Sequence, residues 1–246
     1  MHQIDLNCDM GEGMGNDHLL MPFISSANIS CGYHAGNANV IEETIRLAMK
    51  HNVAIGAHIS FPDKENFGRA EMNFLPEKLT EIINEQLFII GQVTKRLGTE
   101  LHHVKPHGAL YNMAAVNRSM ADTIAMAVKK YDDSLILYGL SGSFLITAAL
   151  ELGLSAASEV FADRRYLENG NLVPRTNPAA LIRDPVEVAQ QVLTMLSRNE
   201  VMTLSGKTIP IVAQTICLHG DGPQAVTFAA AIHRALIEKG FAISAP

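Results

Sequence analysis

Short apolar or alternating runs recur along the chain between longer stretches with a helical period. The short runs begin near Ile4, Ala27, Val53, Leu101, Leu135, Ala156, Val212 and Phe241 and predict strands. Among the longer stretches, Ala38–His51 carries Val40, Ile41, Ile45, Leu47 and Ala48 on one face. Pro76–Leu97 likewise carries Leu79, Ile82, Ile83, Leu87 and Ile90. Further helices are expected over 120–130, 144–152, 185–196 and 224–239. Asp184-Pro185 and Gly222-Pro223 mark starts, and Gly98, Gly153 and Gly240 mark stops. Strands alternating with helices imply parallel pairing. Two connections, 59–73 and 163–183, are polar, rich in Gly, Pro and Asn, and too long to be turns.

The strand runs share a parity. Ile4, Leu6 and Cys8 alternate with Asp5, Asn7 and Asp9; Ala27, Ile29 and Cys31 with Asn28, Ser30 and Gly32, leading to His34; Val53, Ile55 and Ala57 with Ala54, Gly56 and His58. His103, Lys105 and His107 share a face, as do Glu159 and Asp163, and Thr215, Cys217 and His219. Parallel strands buried on both faces would be apolar throughout. In a helix-ringed barrel the outer face is apolar and the polar set points into the lumen. An antiparallel sheet with one wet face also alternates, but the long intervening helices argue against it.

Composition narrows the classes further. The chain has 246 residues, 48% of them apolar, which suffices for one sizeable α/β domain. A net charge of −6, with no basic run beside aromatic residues, argues against a nucleic-acid partner. Asp5, Asp9 and Glu12 precede any apolar stretch that could serve as an export signal, and glycines and serines interrupt the uncharged run 134–150, so no membrane span is expected. Cys8, Cys31 and Cys217 form no Cys-x-x-Cys pair, which fits a reduced, cytoplasmic protein.

Several motifs fail on spacing. Leu204-Ser205-Gly206-Lys207-Thr208 ends like a phosphate loop, but Val201 stands where its first glycine belongs, so 201–211 reads as a hairpin turning at Ser205-Gly206. Gly11, Gly13 and Gly15 lack the last spacing of a dinucleotide fingerprint and are expected to form a loop over the site. Gly139-Leu140-Ser141-Gly142-Ser143 misses the nucleophile elbow at its last position.

Barrel enzymes carry their chemistry at the carboxyl ends of the strands, which here present Asp9, His34, His58, Lys105, His107, Asp163, His219 and Asp221. Unpaired charges gathered in one enclosed volume cost several kcal/mol each, so such a cluster is expected to serve binding or catalysis. Asp5, Asp9, His34, His58 and His107 are the donors available to a divalent ion. Spacing alone separates no metal site from a metal-free acid/base pocket, and the lack of a helical His pair favours the latter.

The runs Ile4-Asp5-Leu6-Asn7-Cys8-Asp9-Met10-Gly11-Glu12-Gly13, Asn28-Ile29-Ser30-Cys31-Gly32-Tyr33-His34-Ala35-Gly36, Gly56-Ala57-His58 and Phe67-Gly68-Arg69 stand in order along the chain. They are followed by His103-Val104-Lys105-Pro106-His107-Gly108-Ala109-Leu110-Tyr111-Asn112, Glu159-Val160-Phe161-Ala162-Asp163-Arg164 and Cys217-Leu218-His219-Gly220-Asp221. Together they closely resemble the lactam-utilisation family, the A subunits of bacterial ATP-dependent 5-oxoprolinases. The resemblance implies an irregular seven-stranded (β/α) barrel, TIM-like and of the glycoside hydrolase/deacetylase type. It also implies opening of 5-oxoproline to L-glutamate, coupled to hydrolysis of ATP with its Mg, in a complex with subunits B and C. The nucleotide would sit on this chain or on the partners. Ile59-Ser60 and Asn177-Pro178-Ala179-Ala180 depart from the family pattern, both in stretches read as loops.

Opening a lactam needs an activated nucleophile, a proton for the leaving nitrogen and a partner for the carbonyl oxygen. The expected roles are Asp9 for water, His58, His107 or His219 for the proton, and Lys105 for the oxyanion or a phosphate. Arg69 or Arg164 would grip the substrate carboxylate, with Asn7, His34, Asn112, Asp163 and Asp221 completing the substrate site. Two rival readings stand beside this one: a metal-dependent deacetylase or amidohydrolase on a related barrel, and a non-catalytic protein that binds a metabolite and regulates its partners.

Overall fold

The structure, a computed structural model, describes residues 2–220, 222 and 224–246. The elements follow in the order β1 (His2–Met10), α1 (Asp17–Leu20), β2 (Ser26–Ser30), α2 (Ala38–His51), β3 (Ala54–Ile59), α3 (Pro76–Leu97), β4 (His103–Pro106), α4 (Gly108–Val116) and α5 (Arg118–Tyr131). They continue with β5 (Ile136–Leu140), α6 (Phe144–Glu151), β6 (Ala156–Phe161), α7 (Pro185–Arg198), β7 (Glu200–Met202), β8 (Thr208–Pro210), β9 (Thr215–Leu218), α8 (Ala225–Glu238) and β10 (Phe241–Ile243).

Strands β1 to β6 pair in sequence, all parallel; β9 joins β6 and closes back on β1 through Asn7↔Cys217 and its neighbours. The result is a closed seven-stranded parallel barrel with helices outside, as expected. The eighth predicted strand, β10, lies outside the barrel and pairs with the first residues of β1, from His2↔Phe241 to Ile4↔Ile243. The 201–211 segment forms the antiparallel β7–β8 pair, so the phosphate-loop look-alike is a hairpin.

Parity sorts the faces as expected. Ile4, Leu6, Ile29 and Ile55 belong to the buried apolar core, and each such side chain contributes about 1.5–3 kcal/mol by leaving water. The alternate positions bond to one another across the lumen in layers. The lowest holds Asp5, whose Oδ1 accepts from Ser25 and Ser26 (2.6 and 2.7 Å) and whose Oδ2 accepts from Thr215 (2.6 Å). Above it, Asn7 donates to Glu159 (2.9 Å) and accepts from Asn28 (2.7 Å), while His103 bonds the Asn28 oxygen (2.8 Å) and stacks on Tyr138. Hydroxyls and amides, which donate and accept at once, thus satisfy a polar interior that water does not reach.

Some boundaries differ from expectation. The last barrel strand starts at Thr215, because Val212 is exposed and gives its N–H to Ser141 Oγ. Helix α4 is an addition to the expected set. Ile59 belongs to β3, and buried Ser60 is pinned by Gln86 of α3 through both its N–H and its C=O, so this departure from the family pattern lies in the scaffold. The 163–183 segment is ordered by backbone bonds from Arg165 to Ala180 and from Ile182 to Asp163, with Tyr166 and Val173 fully buried.

Candidate functional site

At the carboxyl ends of the strands lies a cavity of about 720 Å³, within the usual range for small-ligand sites. Asp9, His58, Lys105, His107 and His219 line it, together with Glu12, Arg69, Asn112, Tyr111 and Arg164. The two long connections form its rim, one through Phe67, Arg69 and Glu71 and the other through Leu167, Leu172, Pro174 and Arg175.

Lys105 stands at the centre of the floor, 2% exposed. Its Nζ lies 2.9 Å from Asp9 Oδ1, 2.9 Å from Glu159 Oε1, 3.0 Å from Cys217 Sγ and 3.3 Å from Asn7 Oδ1. Burial disfavours the ammonium, but Asp9, Cys217 and Glu159 outweigh it and hold the Lys105 pKa well above normal. Burial likewise works to raise the Asp9 carboxyl, yet neighbouring His58 and Lys105 hold it well below the usual range. Asn28 donates to the same Asp9 oxygen at 2.9 Å, and Asp9 Oδ2 faces His58 Nε2 at 3.4 Å. Asp9 is therefore a fixed carboxylate.

Beside this floor, His219 Nδ1 meets both oxygens of Asp163 at 2.9 and 3.0 Å, and its ring stacks on Phe161. Burial acts to raise the Asp163 carboxyl; the charge and hydrogen bond of His219 bring it below normal. A carboxylate only accepts, so His219 carries its proton on Nδ1 and presents Nε2 to other partners.

Arg164 is 4% exposed, gives one Nη2 hydrogen bond to Val173 O (2.6 Å) and buries its Nε without a partner. Burial, with Arg175 nearby, lowers its pKa to about 10, so it remains a cation. Arg69 stacks over the Phe67 ring.

A third group sits at the mouth. His34 stacks on His107 with centroids 3.9 Å apart, His107 Nδ1 lies 2.9 Å from His58 Nε2, and Glu12 Oε1 lies 3.1 Å from His34 Nε2. Burial, reinforced by the neighbouring histidines, depresses the His34 and His107 pKa values well below normal.

The structure thus brings Asp9, His58, Lys105, His107 and His219 together, with Arg69, Asn112, Arg164 and Asp163 at or beside the cavity and His34 stacked on His107. Asn7 lies one layer down, its amide engaged within the lumen. Asp5 lies lower still, apart from both donor groups at the mouth, because three hydroxyls occupy its carboxylate. Asp221 lies outside the described residues. Sequence parity missed Glu12 and Tyr111, whose hydroxyl donates to Glu159 at 2.7 Å. Both stand in the matched motifs, but one is on a loop and the other on a helix, where strand parity says nothing.

Residues 4–246 match the LamB/YcsF family. A relative from Shouchella clausii (strain KSM-K16), the A subunit of a 5-oxoprolinase, is 48% identical over 100% of this chain and 99% of its own. The crystal structure of a lactam utilization protein from Thermus thermophilus superposes with a TM-score of 0.92 at 40% identity, covering 99% of this chain and 100% of that one. A family 4 carbohydrate esterase from Streptomyces lividans shares the barrel alone, at 13% identity and a TM-score of 0.52 over 98% and 91% of the two chains. With a full-length family match, close relatives of equal length and the same barrel, the chain belongs to the LamB/YcsF family.

Proposed function

We propose that this chain opens the ring of 5-oxoproline to give L-glutamate, as the A subunit of an ATP-dependent 5-oxoprolinase that also needs subunits B and C. The observation that carries the reading is the pairing, around one cavity, of a fixed Asp9 carboxylate with the Asp163–His219 pair, in a chain whose relatives are named as A subunits of 5-oxoprolinase.

In this reading water adds to the lactam carbonyl carbon, and the ring C–N bond breaks. Asp9, ionised and held by Lys105 and Asn28, accepts the proton of the attacking water. His219 enters as the imidazolium that Asp163 stabilises and passes its Nε2 proton to the leaving ring nitrogen; the proton taken by Asp9 returns to His219 after the ring opens, so the two groups are reset. Arg164, a cation that lines the cavity, takes the substrate carboxylate. Lys105 already has acceptors around its ammonium, so it acts mainly by positioning Asp9 and lends positive charge to the oxyanion side.

Acid/base help is worth roughly 10² to 10⁴ in rate and one oxyanion donor roughly 10² to 10³. A stabilised amide needs more, and ATP supplies it by activating the lactam, with Mg and nucleotide handled in the complex. The cavity is roomier than a five-membered lactam requires, which suits an activated substrate. The test is reconstitution of the purified chain with subunits B and C, ATP and 5-oxoproline: glutamate should form only when this chain is present. Equal glutamate formation by B and C without it overturns the reading.

A further inference from the structure

The proposed lactam chemistry leaves the histidine group at the mouth unused. His58 Nδ1 lies 3.0 Å from the Lys105 carbonyl, and His107 Nε2 lies 2.9 Å from the Phe67 carbonyl. A carbonyl oxygen only accepts, so these two nitrogens carry the ring protons. The lone pairs of His58 Nε2 and His107 Nδ1 are thereby turned on each other across 2.9 Å. Asp9 Oδ2 lies 3.4 Å from the same His58 nitrogen, and acceptors so placed repel unless a cation, whether a proton or a metal ion, lies among them.

The surroundings fit a cation. Glu12 Oε1 is 3.7 Å from His107 Nδ1 and 3.1 Å from His34 Nε2. One ligand atom from each of Glu12, His34, His58 and His107 lies within 4.8 Å of the others, and all four residues are buried. Independently, His34 Nδ1 is buried with no hydrogen-bond partner, an arrangement that costs about 1–3 kcal/mol in a finished hydrogen-bond network. Backbone carbonyls fixing the far nitrogens of ligand histidines are the usual outer support of a metal site.

We infer that Glu12, His34, His58 and His107 bind a divalent transition cation of the zinc class, His34 joining the other three by turning its ring out of the stack on His107. Three imidazoles and one carboxylate are a borderline-soft set that suits zinc, cobalt or nickel, whereas magnesium and calcium prefer oxygen throughout. Glu12, His58 and His107 also line the cavity, so the cation would offer a Lewis-acidic face to a carbonyl oxygen held there. The inference goes beyond the proposed reaction and rests on this chain's side chains alone; its test uses neither ATP nor partners, so either can fail without the other.

The chain is purified without chelator or nickel resin and its metals are measured; after chelation it is titrated with cobalt(II) and followed by visible d–d absorption. One cation per chain is expected, together with a fall in melting temperature on chelation. Glu12→Gln and His34→Gln should each weaken cobalt binding by at least about 10²-fold, since loss of an outer-shell partner alone costs 10–100-fold. His219→Gln, in the separate Asp9–Cys217–His219 group, should leave it unchanged. Absence of saturable cobalt and zinc uptake by the wild type overturns the inference, and so does loss of binding in His219→Gln with retention in both mouth variants. If a mouth variant fails to fold by circular dichroism, the wild-type stoichiometry and chelation shift decide.

Discussion

The Lys105 ammonium separates two buried carboxylates, Asp9 and Glu159, each 2.9 Å away. Lys105→Met would leave both charges facing each other out of water, and breaking a buried pair in this way costs about 3–5 kcal/mol. Denaturant unfolding of the variant should show a loss of that size. His103 carries a second prediction. Burial, with His102 and Lys105 nearby, holds its pKa well below normal, so the folded state keeps it neutral. Below about pH 6.5 the unfolded chain gains a proton there that the folded chain refuses, so its contribution is complete above that pH and lost on acidification, with a slope of at most about 1.4 kcal/mol per pH unit. Melting temperatures measured as pH is lowered from neutrality should fall, and His103→Gln should flatten the fall. Both residues are legible in the sequence as lumen positions, because parity in a strand fixes the face. How these lumen residues pair is not legible, and neither is the place of Glu12. Glu12 reaches the mouth because Gly11, at φ 69°, turns the chain after β1, and Lys105, expected to serve the oxyanion or a phosphate, lines the cavity with its ammonium also engaged by Asp9, Glu159 and Cys217.

Strand β3 shows how tightly the elements constrain one another. A Cβ on Gly56 would sit 2.0 Å from His103 Nε2, the atom that bonds Asn28. Gly56→Ala must therefore push the imidazole off its partner, and overpacking of this kind costs about 1–3 kcal/mol or more. Thermal unfolding should register it, and an unchanged melting temperature would mean that the β3–β4 register is different. The helices with a clear apolar stripe, α2, α3 and α7, are legible, and so are the Asp184 start of α7 and the Gly98 stop of α3. Asp184, for example, accepts from the N–H groups of Val186 and Glu187, as its place before Pro185 suggests. Helix α4 is not legible. Its sequence, with Ala109, Leu110, Tyr111, Ala114 and Ala115 all buried, has too little polar contrast to show a period. The 163–183 segment also reads as a loop, because its order comes from isolated bridges such as Arg164↔Leu181 and Tyr166↔Leu172, which leave no periodic trace.

The closed barrel as a unit supplies a carboxylate, a histidine pair and an arginine around one cavity, while the sequence holds no complete phosphate loop. The chain alone is therefore expected neither to hydrolyse ATP nor to open 5-oxoproline at a useful rate, as phosphate-release and glutamate assays with and without partners will show. Under the proposed reaction, exposed residues of the cavity rim such as Arg175 would meet the partner that delivers an activated lactam under cover from water. Closure of the barrel and the lumen-facing polar set can be read from strand parity; the rim cannot, since its position depends on how two irregular segments pack. Whether the lactam is opened at this site is decided by the rate of ATP-dependent glutamate formation in the reconstituted complex carrying Asp9→Asn or His219→Gln in this chain. With both variants folded and assembled, each rate should fall by at least about 10²-fold. Rates within a few-fold of the wild type for both variants would mean that the ring is opened elsewhere.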